Sequence, residues 1–341
     1  MQTLEELLLK ILEEAGEEGI PQSELSRITG YSRSYITETI KRLEAKGIVR
    51  RLRIGKRSYI VKLSRYIKIP RVQSYLKLGI LRASEYIYLP LFRKYLRDVG
   101  LNVRIIVYDD ALTLTRDLAL GEVSLALSPI YTQIVLYTVT KSLRVIAGGS
   151  LGGASLIARS NIKRLDDVNS IATSKVSTMD YLVNILLVNE LKARDIKIEY
   201  ISNPDDALMM LYRGIIDAIN IWEPYVSLLK RHSFRELIDY NNYIGEYYCC
   251  TLGAHVSLDY RTINTIKKAY SKAINEATIH IDTLLAPYAT ITGLPIELIK
   301  KSIGKYKFLD YIDLSIIGKV VGKGTKFIVN IPTVLEAIHR V

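Results

Sequence analysis

Cysteine is nearly missing from this chain: two in 341 residues, and those two are neighbours, Cys249 and Cys250. Adjacent cysteines bridge each other only with strain. A disulfide framework is therefore excluded, and a reducing compartment is expected. The four histidines, His232, His255, His280 and His339, show no HxH or HExxH spacing, so the sequence nominates no metal site. The one glycine cluster, residues 148–153, lacks the lysine and serine of a phosphate-binding loop. No Ser-His-Asp order or paired carboxylate cluster stands out. No catalytic residue and no cofactor can be named, and a non-enzymatic role is expected. No apolar run reaches the roughly 18 residues of a membrane span. The opening Met1-Gln2-Thr3-Leu4-Glu5-Glu6 lacks a basic stretch followed by an apolar one, so no export signal is expected. The expected location is the cytoplasm.

What is present is bulk and positive charge. The length allows two or three domains, each with its own core. At 49% hydrophobic and 24% charged residues, the composition is globular rather than disordered. A net charge of +12 favours a polyanionic partner. The charge is concentrated: between residues 27 and 68, thirteen cations face only Glu38 and Glu44.

Leu4, Leu7, Leu8, Ile11 and Leu12 recur at helical spacing, with Glu5, Glu6, Glu13 and Glu14 between them, which predicts an amphipathic first helix. Residues 20–25 open a short second helix, with Pro21 near its first turn. Ser32 is a good N-cap for a third, roughly 33–45, whose apolar stripe is Ile36, Ile40 and Leu43. Alternating segments at 48–53 and 57–63, joined through Gly55 and Lys56, predict a hairpin. In this order residues 1–66 resemble the winged helix-turn-helix regulators of the MarR and ArsR type. The resemblance rests on residues 23–30 and 36–49. It implies that the third helix enters the major groove of double-stranded DNA and that the hairpin lies along the backbone. The implied DNA-binding residues are Ser32, Arg33, Ser34, Tyr35, Thr37 and Lys41 on the helix, and Arg53, Lys56 and Arg57 on the wing. Such cations release counterions on binding, so affinity should fall steeply with salt. The alternative is a solvated basic face on a protein-interaction domain. A homodimer is expected, with the first helix helping to form it.

Residues 67–74 make a short junction that is not rich in Gly and Ser, unlike a flexible linker. From residue 75 strand and helix signals alternate, which predicts an α/β body with a mostly parallel sheet. Two lobes are expected, one from about 75–149 and 241–341 and the other from about 150–240. The glycine cluster at 148–153 and residues 239–246 are the expected crossings. A long helix is predicted over about 260–285. Residues 305–341 suggest no function.

Five segments carry a second resemblance: 120–126, 143–149, 164–168, 177–182 and 214–225, the last ending Ile221-Trp222-Glu223-Pro224-Tyr225. They resemble type 2 periplasmic solute-binding proteins, in particular the NMT1/THI5-like family of taurine, alkanesulfonate and nitrate binders and thiamine pyrimidine-precursor proteins. The resemblance spans roughly 75–285. It implies a ligand held between the lobes by strand ends and helix N-termini. The ligand-binding residues it implies are Ser84, Tyr86, Ser128, Ser177, Thr178, Trp222 and Glu223. Trp222 could instead pack the hinge, and Ser177 could be a plain helix cap. Glu85 is expected in solvent, and Cys249 and Cys250 as small hydrophobes in a strand. Together these point to a winged helix followed by a two-lobed body, acting as a transcription regulator that responds to a small polar metabolite (a thiamine-pathway pyrimidine, a sulfonate or similar). An ABC-transporter binding subunit is one alternative, and it would need an export signal or anchor. A pyrimidine-precursor synthase is another, and it would need a vitamin B6 lysine, a donating histidine and a cysteine-rich patch.

Overall fold

A computed structural model of the chain describes residues 3–53, 58–66, 75–191, 195–317 and 331–338. The junction at 67–74 lies outside the described residues.

The head comprises α1 (Leu4–Ala15), β1 (Ile20–Pro21), α2 (Gln22–Thr29), α3 (Arg33–Ala45), β2 (Val49–Arg53) and β3 (Tyr59–Leu63). A capping box starts α1. The Thr3 hydroxyl accepts from the Glu6 amide at 3.3 Å, and the Glu6 carboxylate accepts from the Thr3 amide at 2.9 Å. Leu4, Leu8 and Leu12 then face inward and pack with Leu25, Ile36, Ile40, Leu43 and Val61. Each fully buried leucine contributes about 1.5–3 kcal/mol. The main apolar face of α1 is thus used inside its own head. Pro21 stands where α2 begins, near its first turn as expected, and also pairs with Ile60 of β3 in a short strand. Ser32 caps α3 as expected, its Oγ accepting from the Tyr35 amide at 3.3 Å.

The body runs β4 (Tyr75–Leu81), α4 (Leu89–Asp98), β5 (Asn102–Tyr108), α5 (Ala111–Ala119), β6 (Leu125–Pro129), α6 (Ile130–Thr140) and β7 (Leu143–Gly152). Next come β8 (Ala154–Ala158), β9 (Ser170–Ser174), α7 (Thr178–Asn189), β10 (Lys197–Ile201), α8 (Pro204–Tyr212), β11 (Ala218–Trp222), α9 (Tyr225–Arg231) and β12 (Arg235–Asp239). It closes with α10 (Tyr240–Ile244), β13 (Tyr248–His255), α11 (Tyr260–Ala277), α12 (Ile281–Thr292), α13 (Ile296–Ser302), β14 (Tyr306–Leu309), α14 (Leu314–Ile317) and α15 (Ile331–Ala337). One sheet has the order β14-β7-β13-β6-β4-β5 and the other β10-β9-β11-β8-β12.

Both sheets are mixed, not mostly parallel. Strands joined through helices are parallel: β4 with β5 and β6, and β9 with β10 and β11. Strands at the crossings are antiparallel: β13 with β6 and β7, and β8 with β11 and β12. No helix separates β7 from β8; Gly152 and Gly153, at φ 81° and 80°, turn the chain from one sheet into the other. Gly148 and Gly149 lie inside β7, where a Cβ would strike the carbonyl oxygens of Tyr311 and Cys250. The helix expected over 260–285 is two helices, broken at 278–280. The last residues described, which carried no functional reading, add a strand beside β7 and bury Ile316, Ile317 and Val334 against α6 and β7 residues.

Candidate functional site

The exposed end of α3 presents Ser32, Arg33, Ser34 and Tyr35, with Lys41 further along the same helix and Thr37 half-buried. Tyr35 packs against Tyr31 at 5.7 Å between ring centres. The Thr37 hydroxyl donates to the Arg33 carbonyl at 2.8 Å and accepts from Gln22 Nε2 at 3.0 Å, which ties α3 to α2. A groove of about 310 Å³ runs between α2, α3 and the wing, lined by Gln22, Ser23, Arg33, Thr37, Arg51 and Tyr59 among others. The free N–H groups and positive dipole end at the start of α3 face outward beside it, an arrangement suited to phosphate. Arg53 ends β2; Lys56 and Arg57 lie outside the described residues.

Several cations of this basic stretch have protein partners. Arg51 holds Glu44 through Nε and Nη2 at 3.0 and 2.7 Å. Arg65 pairs with Glu13, and Lys46 with Glu5 at 3.0 Å. Arg50 leaves the head altogether: its Nη1 donates to the Leu120 carbonyl at 3.1 Å, and it pairs with Glu122. The wing and recognition-helix cations are therefore not all available to DNA.

Arg50 belongs to a seam between head and body. Gly47 lies against Thr140, Ala119 and Arg116. His255, fully buried at the end of β13, places Nε2 3.3 Å from the Ser64 carbonyl. A carbonyl only accepts, so Nε2 carries the proton; Nδ1 accepts from the Ser257 amide at 3.2 Å. The ring is the neutral tautomer. Burial pushes its pKa down to about 4, and nearby Arg50 adds to that while the Ser64 bond opposes it.

Between the lobes lies a cavity of about 20 Å³, lined by Leu81, Glu85, Ala111, Pro129, Ser174, Ser177, Thr178, Met179, Trp222, Cys249 and Cys250. That is room for a water or an ion. Of the sequence-nominated residues, Ser177, Thr178 and Trp222 line this cavity, and Ser84, Tyr86, Ser128 and Glu223 do not. The lobes are drawn together by direct bonds. Trp222 Nε1 donates to the Arg82 carbonyl at 3.2 Å, and the Ser84 amide to the Glu223 carbonyl at 3.3 Å. Thr178 Oγ1 donates to the Cys249 carbonyl at 3.0 Å, and Thr132 Oγ1 to the Val176 carbonyl at 2.7 Å.

Each nominated side chain has a definite place. Ser177 Oγ caps α7, accepting from the Met179 and Asp180 amides at 3.1 and 3.3 Å. The Glu223 carboxylate turns away to accept from the Ser227 amide and hydroxyl at 2.9 and 3.0 Å. Ser84 Oγ accepts from Ser302 Oγ at 2.8 Å, and the buried Ser128 hydroxyl has no partner among the described residues. Tyr86 sits behind the cavity, its hydroxyl 3.2 Å from Cys250 Sγ and 3.3 Å from the Leu127 carbonyl.

Glu85 departs most from expectation. It is 1% exposed, not solvated, and its carboxyl bonds Ser150 Oγ. Burial raises its pKa above the usual carboxylate range, against the lowering effect of its hydrogen bonds. Both cysteines are buried as expected, but they line the cavity instead of merely filling the strand. Among the described residues, no lysine, arginine or histidine lines this cavity. Sequence spacing holds no signal for the meeting of Glu85 with the two thiols, because they stand 164 and 165 positions away and a strand irregularity brings them together.

Two fold classes thus share the chain, a winged helix-turn-helix and a two-lobed periplasmic-binding-protein fold. Residues 2–50 match the family model described as winged helix-turn-helix DNA-binding. An uncharacterised protein of Pyrococcus abyssi is 47% identical over 64 residues, which is 19% of this chain and 18% of that protein. The match thus spans under a fifth of the relative's length. The body is similar to the alkanesulfonate-binding protein SsuA of Xanthomonas axonopodis bound to MOPS, at a TM-score of 0.59 and 16% identity over 73% of this chain and 90% of that one. A Candida albicans protein described as having the generic periplasmic binding protein fold gives 0.63 and 13%, over 80% and 96% of the two chains. The nitrate-binding protein NrtA of Synechocystis gives 0.57 and 15%, over 71% and 73%. At these identities the likeness is one of fold. Among the described residues, no helix is long and apolar enough to cross a membrane.

Proposed function

We propose that the chain is a ligand-responsive transcription regulator of the cytoplasm. Its head binds double-stranded DNA as part of a homodimer, and a small polar metabolite between the lobes changes that binding. One observation supports the coupling above all: three elements run from the cavity to the seam with the head. β13 has Cys249 and Cys250 at the cavity and His255 at the head, about 17 Å apart at strand rise. α5 starts at Ala111 on the cavity and ends at Ala119 against Gly47. β6 ends at Pro129 on the cavity, and the turn before it holds Leu120 and Glu122 on Arg50. A ligand between the lobes would press on the cavity ends of these elements, and their far ends contact the head. Ligand and DNA then bias one equilibrium from opposite sides.

The lining also narrows the metabolite. Among the described residues its one acidic side chain is Glu85 and it has no cation, so a ligand that donates hydrogen bonds fits better than a sulfonate or nitrate. Fluorescence anisotropy on DNA from upstream of the gene, across a salt series and with candidate solutes, tests the proposal. The expected result is a logarithmic salt slope proportional to the phosphates contacted, and an affinity that shifts about 5–150-fold when the cleft is loaded. Absent or salt-independent DNA binding, or one affinity with and without a bound solute, would sink it.

A further inference from the structure

Adjacent residues of a regular strand point to opposite faces, so Cys249 and Cys250 should have been separated by the sheet. They are not. On β7 the partner of Tyr248 is Leu151 and that of Cys250 is Ser150, so two steps along β13 oppose one along β7. This bulge cancels the alternation at Cys249. Both thiols thereby reach the same cavity, and Glu85 reaches it from the turn after β4. One carboxylate oxygen and the two sulfurs all lie within 4.8 Å of one another. The three residues are 1%, 3% and 1% exposed.

From this geometry we infer that Glu85, Cys249 and Cys250 form a binding site for a thiophilic d10 cation, of which zinc and cadmium are the type, at the floor of the cleft. Three buried acidic groups with no basic side chain beside them among the described residues are costly to hold as anions unless a cation neutralises them. Two sulfurs and one oxygen are a donor set for tetrahedral zinc, with a fourth position left for water or a ligand. Magnesium and calcium, which take six or more oxygens, are poorly served by thiolates. At bond lengths of about 2.3 Å to sulfur and 2.0 Å to oxygen, tetrahedral donors stand roughly 3.5–3.8 Å apart. Small side-chain rotations would close the present spacing to that. The cavity admits an ion but no organic ring. The Tyr86 hydroxyl, 3.2 Å from Cys250 Sγ, supplies an outer donor that would orient that sulfur. On binding, each thiol gives up its proton to solvent, and three metal–ligand bonds form with no change of oxidation state.

The site shares the cleft but does not depend on DNA regulation. The full chain, reduced with a phosphine and stripped with a chelator, is titrated with cadmium. These are the only two cysteines of the chain, so a thiolate-to-cadmium charge-transfer band saturating at one equivalent is expected, with zinc competing it away. Cys249→Ser, Cys250→Ser and E85Q should each weaken binding by at least the roughly 10–100-fold that losing an outer-shell partner costs. One equivalent of zinc should also slow alkylation of both thiols in the unaltered protein, a readout that needs no variant to fold. The inference is overturned by the absence of a band, by a band that persists in the folded double serine variant, or by alkylation that ignores zinc.

Discussion

His255 has two hydrogen-bonding nitrogens and uses both without charge. Nε2–H reaches the Ser64 carbonyl of the head, while Nδ1 accepts from the Ser257 amide of the body. Protonating Nδ1 destroys that acceptor and puts an imidazolium in a dry site next to Arg50. The ring's pKa is accordingly held near 4 in the folded chain, against about 6.5 when unfolded. A depressed pKa means the unfolded state binds the proton first. The stabilisation is whole above about pH 6.5 and drains away as the pH falls toward 4. The shift corresponds to on the order of 3 kcal/mol. Urea denaturation midpoints should therefore decline across that window. His255→Gln retains a donor for Ser64 but cannot titrate, so its midpoint should fall less between pH 6.5 and 4. Equal declines for both proteins would refute the assignment. Nothing about an isolated histidine in the sequence marks this role, since its partner carbonyl lies 191 residues away.

At the scale of the element, α3 was readable in advance because its signals are local: a serine cap, an apolar stripe at helical spacing and Gly47 at its end. Its N-terminus should then follow the physics of a DNA-reading helix. Arg33→Ala and Tyr35→Ala are expected to weaken operator binding by about 1–3 kcal/mol each, and Lys41→Ala to reduce the logarithmic salt slope by about 1. Ser32→Ala should cost about 1 kcal/mol of head stability through the lost cap. Anisotropy and thermal melts separate the two effects: reduced affinity at an unchanged melting temperature belongs to contact, not to folding. β13 is the contrary case. Its existence is legible from the apolar run, but its bulge is not, because a bulge is decided by the register of two partner strands and not by the strand's own residues. The same limit hid the antiparallel pairings of β8, since helix-strand alternation reports the local period and not the direction in which a strand enters its sheet.

For the whole molecule, the division into a basic reader and a two-lobed body was legible from charge distribution and element order. The contact between them was not. Arg50 reads as one more cation of the wing, yet it is only part-exposed and is bound to Glu122 and to the Leu120 carbonyl of the body. If the proposed coupling runs through this seam, breaking it should uncouple two functions that each survive. Arg50→Ala removes the guanidinium from both partners. Glu122→Gln removes only the charge and leaves the bond to Leu120. Neither residue lies on the exposed face of α3 or lines the cavity, so intrinsic DNA affinity and solute affinity should stay within about threefold. The difference in DNA affinity between loaded and unloaded protein, expected at about 1–3 kcal/mol in the unaltered chain, should collapse toward zero in Arg50→Ala and shrink only partly in Glu122→Gln. By linkage, the effect of DNA on solute affinity must shrink by the same factor. Calorimetry of the solute with and without DNA therefore gives a second, independent reading of one quantity. Full coupling in Arg50→Ala would show that the signal reaches the head by another path, through Gly47 and α5 or through the His255 bond.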